Sequence, residues 1–252
     1  FEGAKVDGVF ALWYGKGPGV DRCGDALKHA NAAGSSALGG VVVACGDDHG
    51  AKSSTLPHQS EQAMIAAMIP VLNPAGVQEV LDFGLYAFAM SRFCGCWIAL
   101  KTITENMDSS ATVNVDSERL QILIPDTFDM PHKGLNIRWP DPALIQEARL
   151  INFKLPAAKA FARINQLDRT IWRHESARLA LVTTGKAFLD TMQALANLGI
   201  TEEKARHLGI SIFKVGLTWP LDEGEIIPFC ATARAVLVIE EKRALIEDQL
   251  CK

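Results

Sequence analysis

Gly40-Val41-Val42-Val43-Ala44-Cys45 runs without a charged side chain into Gly46-Asp47-Asp48-His49-Gly50-Ala51-Lys52-Ser53-Ser54-Thr55-Leu56-Pro57-His58-Gln59-Ser60-Glu61. A short apolar run that opens and closes on glycine reads as a strand buried on both faces, as in parallel sheets. In open α/β sheets, ligands bind in crevices outside the carboxyl ends of strands, and the polar stretch begins at such an end. It carries carboxylates at Asp47 and Asp48, imidazoles at His49 and His58, an ammonium at Lys52 and hydroxyls at Ser53, Ser54 and Thr55. A loop that only turned the chain would not need this density of titratable and hydrogen-bonding groups. The stretch is therefore read as a functional site.

The alternation of apolar runs with amphipathic segments continues outward. Strands are expected at 8–13, 69–72 and 96–101, with helices at 21–33 (Asp21 as its cap), 59–68 and 75–91. From 105 to 140 the periodicity fades among Asp, Pro, Gly and Asn, leaving a connector with a strand expected at 121–124. A long helix follows over 142–166, expected to break or kink at Pro156. A second unit has strands at 178–184, 210–215 and 235–240, helices at 186–198 and 223–233, and a last helix begun near Arg243. The fold class is α/β with two parallel-sheet, three-layer domains. The first covers 1–125, a linker with the long helix covers 126–175, and the second domain covers 176–252.

The bulk properties narrow the function. The 252 residues are 48% hydrophobic and 21% charged, with a formal net charge of −4. That balance offers no broad basic surface, so nucleic acid is not an expected partner. No signal peptide and no apolar run of about 20 residues is seen, so neither a membrane span nor export is expected. Cys23, Cys45, Cys94, Cys96, Cys230 and Cys251 show no C-x-x-C pair, which reads as a cytoplasmic protein with free thiols. The chain starts at Phe1 and stops at Cys251-Lys252, inside the expected last helix, and is expected to be a piece of a longer polypeptide.

Several motifs admit two readings. Gly15-Lys16-Gly17-Pro18-Gly19, between a strand and a helix, suits either a backbone anion cradle or a tight turn. Thr183-Thr184-Gly185-Lys186 lacks the glycine and hydroxyl of a P-loop and reads as a turn. Asp47, Asp48, His49 and His58 make a metal-dependent hydrolase conceivable, although their spacing matches no familiar ligand pattern. Proton transfer is an equal use for such imidazoles. Gly46-Asp47-Asp48 followed by Asn73 resembles the magnesium-holding motif of thiamine diphosphate enzymes. Asp48 replaces its second glycine and would repel a diphosphate, so the match is taken as a decoy.

The polar loop and its flanks resemble the fused, long-chain indolepyruvate:ferredoxin oxidoreductases, a branch of the 2-oxoacid:ferredoxin oxidoreductases. The resemblance extends over essentially the whole chain. It rests on Trp13-Tyr14-Gly15-Lys16-Gly17-Pro18-Gly19-Val20-Asp21-Arg22, on Gly46-Asp47-Asp48-His49 with Lys52-Ser53-Ser54-Thr55 and His58-Gln59-Ser60-Glu61, and on Pro70-Val71-Leu72-Asn73-Pro74-Ala75-Gly76-Val77-Gln78-Glu79. Gly134-Leu135-Asn136-Ile137-Arg138-Trp139-Pro140-Asp141-Pro142 and Glu240-Glu241-Lys242-Arg243 add to it. Two departures are Ala51, where the family usually has cysteine, and Cys23, where it usually has serine.

The resemblance implies that the first domain is pyrimidine-binding-like for thiamine diphosphate and the second is transketolase C-terminal-like. The domain holding magnesium (Mg2+) and the diphosphate, the glutamate that activates the cofactor, and the iron–sulfur cluster would lie outside this chain. The implied activity is oxidative decarboxylation of a 2-oxoacid of the indolepyruvate or aryl-pyruvate type to its acyl-CoA, with electrons passed to ferredoxin. Coenzyme A, ferredoxin, the remaining domains of the parent chain and a homo-oligomeric partner are the implied associates. By location in the family motif, Gly15, Lys16, Gly17, Gly19, Asp47 and Asp48 would face the cofactor. His49 and His58 would orient the 2-oxoacid or relay protons, and Lys52, Ser53 and Ser54 would hold its carboxylate. The alternative for the chain taken alone is an inactive structural or interface piece.

Overall fold

The computed structural model describes residues 8–138 and 141–251. Strands β1 (Phe10–Lys16), β2 (Gly40–Asp47), β3 (Val71–Leu72) and β4 (Ile98–Ile103) pair in parallel in the order β1-β2-β4-β3. Helices α1 (Gly17–Arg22), α2 (Gly24–Ala33), α3 (Glu61–Ala66) and α4 (Val77–Cys94) make the crossovers between them. Alternate side chains of β2 and β4 serve opposite faces. Val42, Ile98 and Leu100 pack with Phe83, Ala87 and Met90 of α4. Val43, Cys45 and Ala99 pack with Val20, Leu27 and Met64 of α1, α2 and α3. Burial on both faces is why this strand sequence is a continuous apolar run rather than an alternating one.

The second sheet contains β5 (Arg169–Trp172), β6 (Leu179–Thr184) and β7 (Ile210–Val215). Between them run α8 (Gly185–Asn197) and α9 (Glu202–Leu208), after α5 (Thr104–Met107), α6 (Ala143–Arg149) and α7 (Leu155–Ile164) earlier in the chain. The next strand, β8 (Leu217–Trp219), leaves this sheet and pairs antiparallel with β3 as the fifth strand of the first. After α10 (Glu223–Cys230), β9 (Val236–Ile239) returns to give the order β5-β7-β6-β9, and α11 (Ile246–Leu250) follows. Only β5 in this sheet is antiparallel. The architecture is α/β with two mainly parallel sheets.

Charged contacts join the two sheets beside the β8 crossing. Glu79 of α4 receives Lys214 of β7 and, at 2.8 Å, Arg169 of β5. Burial holds the Lys214 ammonium below the usual lysine range, and Phe83 and Phe188 lie under it at 5.8 and 5.0 Å. At the crossing itself, one oxygen of half-buried Asp168 accepts the N–H of Gly216 at 2.7 Å and of Leu217 at 2.9 Å.

Several local expectations differ from what forms. There is no strand at 121–124. Leu123 instead exchanges both backbone groups with the side-chain amide of Asn165 at 2.8 Å, a side chain standing in for a neighbouring strand. The helix does not break at Pro156, which falls in the first turn of α7 behind a π turn at Leu150–Lys154. The widened turn accommodates the missing N–H, so the helix runs on. Asp21 caps nothing: β1 continues through Lys16, helix starts at Gly17, and the Asp21 carboxylate bonds a histidine described below. The last helix begins at Ile246 rather than near Arg243, because Glu240 accepts the N–H groups of Leu245, Ile246 and Glu247 at its start. Helix α9 and the short β5 and β8 were not anticipated.

Candidate functional site

The carboxyl ends of β1, β2 and β4 open onto a cleft of about 440 Å³, whose lining includes Lys16, Gly46, Asp48, Lys52, Thr102 and Met107. The parallel register places Lys16 beside Gly46 and Gly46 beside Thr102, so three strand ends supply one wall. The polar loop after β2 supplies another.

That loop is folded around Asp48. Its carboxylate accepts the backbone N–H groups of Lys52, Ser53 and Ser54, each at 2.8 Å. Lys16 adds a bond from Nζ to the Ser53 carbonyl at 2.7 Å. The backbone donors, Ser53 first, outweigh burial and hold the Asp48 carboxyl down at about 2. Three converging N–H groups make an anion cradle, and here the protein's own carboxylate fills it. The Lys52 ammonium pairs with Glu105 at 3.1 Å at the cleft mouth.

Asp47, one residue earlier, points to the opposite side of the strand and is buried. It accepts from Ser60 through both the backbone N–H, at 3.0 Å, and the hydroxyl. His58 Nδ1 lies 3.5 Å from one Asp47 oxygen, with His58 Nε2 3.0 Å from Asp21. His49 Nε2 lies 3.9 Å from the other Asp47 oxygen, with His49 Nδ1 2.9 Å from Glu241 beyond β9. Lys101, buried in β4, pairs with Glu61 and stands 3.8 Å from Asp47. Burial pushes the Asp47 carboxyl up, but His49, Lys101 and Ser60 together hold it below the usual range. For His49, burial acts downward and the two carboxylates act upward by more, leaving it at about 8. A line of alternating carboxylates and imidazoles thus runs from Asp21 of the first unit to Glu241 of the second.

The expected site residues are only partly brought together. Lys16, Asp47, Asp48, Lys52 and Ser53 all reach the cleft wall, while His49 and His58 flank Asp47 behind it. The Ser54 hydroxyl is buried without a hydrogen-bond partner among the described residues. Of the glycines, Gly17 makes room for His58: a Cβ there would fall 1.9 Å from the imidazole. Gly15 lies against the Trp13 ring, and Gly19 faces open space. Lys101, Asp21 and Glu241 were not singled out as site residues. A lysine inside the apolar run Ile98-Ala99-Leu100-Lys101 was the one available signal.

The turn after β2 does not fit the magnesium of a diphosphate, because Asp48 is already saturated by backbone donors. Nor, among the described residues, is any group of three His, Cys, Asp or Glu side chains arranged to hold a metal ion. A flat heterocycle does suit the cleft, where Ile103 and Met107 offer apolar surface beside the hydroxyls of Thr102 and Thr104.

Comparison with known proteins agrees with the resemblance. A family model described as "Indolepyruvate oxidoreductase domain" matches residues 169–252. The indolepyruvate oxidoreductase subunit IorA of Methanothermobacter marburgensis is 24% identical over 98% of this chain, and that of Methanothermobacter thermautotrophicus is 26% identical over 98%. The chain spans 38% of the length of each of these relatives. A solved structure of 2-oxoglutarate:ferredoxin oxidoreductase from Magnetococcus marinus, with 2-oxoglutarate, coenzyme A and succinyl-CoA bound, superposes with a TM-score of 0.62. The match is 14% identical and covers 95% of this chain and 47% of that one, which establishes the shared fold. These relatives match nearly the whole chain and the domain model matches its second sheet, so the chain is similar throughout to part of an indolepyruvate oxidoreductase subunit.

Proposed function

We propose that this chain supplies the pyrimidine-side wall of a thiamine diphosphate site in a 2-oxoacid:ferredoxin oxidoreductase acting on indolepyruvate or a related aryl pyruvate. The observation carrying this reading is the cleft at the carboxyl ends of β1, β2 and β4, which is built from the motif residues of the family and is apolar enough for a ring. Residues 1–125 would form the pyrimidine-binding-like unit and 176–252 the transketolase C-terminal-like unit, with 126–175 linking them. When bound, the cofactor supplies a carbanion that allows decarboxylation, and protein groups supply binding, orientation and electrostatics.

The chain's own part follows from its geometry. Lys16 and Lys52 place positive charge at the cleft wall, where a 2-oxoacid carboxylate would be drawn. Ser53 and Ser54 fix that loop through their backbone N–H groups; the Ser53 hydroxyl, bonded to Lys16 and Asp48, stands at the cleft wall, and the Ser54 hydroxyl is buried behind it. Asp48 shapes the loop, and Asp47 aims His58 and His49. His58, with a carboxylate on each ring nitrogen, is placed to hold or pass a proton at Nε2 toward Asp21. Magnesium, the diphosphate, the iron–sulfur cluster and the sites for coenzyme A and ferredoxin would belong to other parts of a longer, cytoplasmic and homo-oligomeric protein.

The test is turnover of the full-length polypeptide with aryl pyruvates, coenzyme A and ferredoxin, in wild type and His58→Ala. The expected result is acyl-CoA formation, with kcat/KM lower by about 10²- to 10⁴-fold in the variant. Unchanged kcat and KM would remove His58 from the site, and no turnover of any 2-oxoacid by the wild type would remove the activity. A second reading is favoured by one observation: Asp48, Gln59 and His49 spend their polar groups on contacts within the chain. On that reading the isolated chain is an interface piece, inactive alone.

A further inference from the structure

We propose that His49, Glu241 and Lys242 form a proton-sensitive clasp that holds the two sheet units closed across the crevice between them. Two loops far apart in sequence meet there. His49 Nδ1 lies 2.9 Å from Glu241 Oε2, and Lys242 Nζ donates to the His49 carbonyl at 3.0 Å. Arg243 N–H donates to Gln59 Oε1 at 3.1 Å, which fastens the far end of the same loop. Both loops carry a non-glycine residue in left-handed backbone, Ala51 at φ 54° and Lys242 at φ 77°. Such backbone persists only where surrounding contacts over-determine it. Behind the clasp, Glu61, Asn73, Lys101, Thr184 and Thr218 line a crevice with free space of only about 10 Å³. That is room for about one water. Glu61 Oε2 has no hydrogen-bond partner there among the described residues. Opening the clasp would expose a polar surface shared by both sheets.

The proton dependence follows from where the imidazole stands. One ring nitrogen faces Glu241 and the other faces Asp47. Nδ1 is within hydrogen-bond distance of Glu241, while Nε2, 3.9 Å from Asp47, makes no hydrogen bond among the described residues, so Asp47 acts on the imidazole through charge once both nitrogens carry protons. Lys101 from β4 is the opposing cation, held back by its own pairing with Glu61 of α3. From the second unit, Lys186 of α8 approaches Glu241 to 4.0 Å, and Lys242 engages only the His49 carbonyl. Burial lowers the His49 pKa and the flanking carboxylates raise it to about 8. A group whose pKa is raised on folding contributes stability that is whole below its unfolded value near 6.5 and lost as pH climbs through the folded value. The clasp therefore weakens between about pH 6.5 and 8 as the imidazole loses its charge, with the Lys242 and Arg243 bonds remaining. This holds whatever cofactor the parent enzyme uses.

The experiment is NMR titration of the imidazole C–H resonances of this chain, with amide hydrogen exchange over 48–60 and 240–245 at pH 6.5 and 9, corrected for intrinsic rates. His49 is expected to titrate above the ordinary histidine range, and both segments to lose at least about tenfold protection together across that midpoint. Glu241→Gln is expected to lower the midpoint by about one unit and to lower protection already at pH 6.5. Lys242→Met is expected to lower protection with little movement of the midpoint, which separates loosening of the clasp from loss of the imidazole's partner. A His49 midpoint at or below the ordinary value, or protection indifferent to pH and to both substitutions, would overturn the proposal.

Discussion

Lys101→Ala is expected to destabilise the folded chain by about 3–5 kcal/mol, because it removes the one cation shared by two buried carboxylates. Lys101, Glu61 and Asp47 are each no more than 4% exposed. Asp47 keeps its two bonds from Ser60, but Glu61 loses its ion pair and keeps an oxygen that already lacks a partner. The cost is therefore the penalty of stranding charge, not the net worth of the ion pair. Replacing both partners by apolar residues of similar size, Lys101→Met with Glu61→Leu, is expected to recover most of the loss. Urea unfolding of the two variants checks this. If the double variant is as unstable as the single one, the ion pair is not the source of the effect.

Asp168→Asn is expected to be about 3 kcal/mol more favourable for stability, relative to wild type, at pH 8 than at pH 5. Burial is the chief cause that raises the Asp168 carboxyl to about 7, against the two backbone N–H groups that lower it. A carboxyl raised on folding contributes most below its unfolded value near 3.9, and the contribution is lost as pH rises through the folded value. Asparagine escapes that loss, and its amide oxygen can still accept from Gly216 and Leu217, which both use the same oxygen in the wild type. Thermal unfolding at the two pH values reads the difference. An equal effect at both would show that Asp168 is ionised throughout, with its burial offset by something other than these bonds.

The sheets were legible because β2 and β4 are buried on both faces, and that forces the uninterrupted apolar runs visible in Val41-Val42-Val43 and Ile98-Ala99-Leu100. The polar loop was legible because its groups are dense and adjacent. What was missed is short or distant. Leu217–Trp219 is three residues long, too few to show a period, and its partner β3 lies far back in the chain. Asp21 reads as a helix cap until His58 is known to stand beside it. Glu241 lies 192 residues from His49, so nothing local marks the pair. The interior of Asp48's loop was legible as chemistry but not as geometry: sequence shows a carboxylate near three donors, not that it has already taken them.

The most direct test of the split cofactor site is calorimetric titration with thiamine diphosphate and magnesium, on this chain and on the full-length polypeptide in parallel. Saturable binding is expected for the full-length protein and none for the chain alone, whose loop offers no place for a magnesium diphosphate. Binding by neither would contradict the assignment of this cleft to thiamine diphosphate, and tight binding by the chain alone would contradict the division of the site between domains.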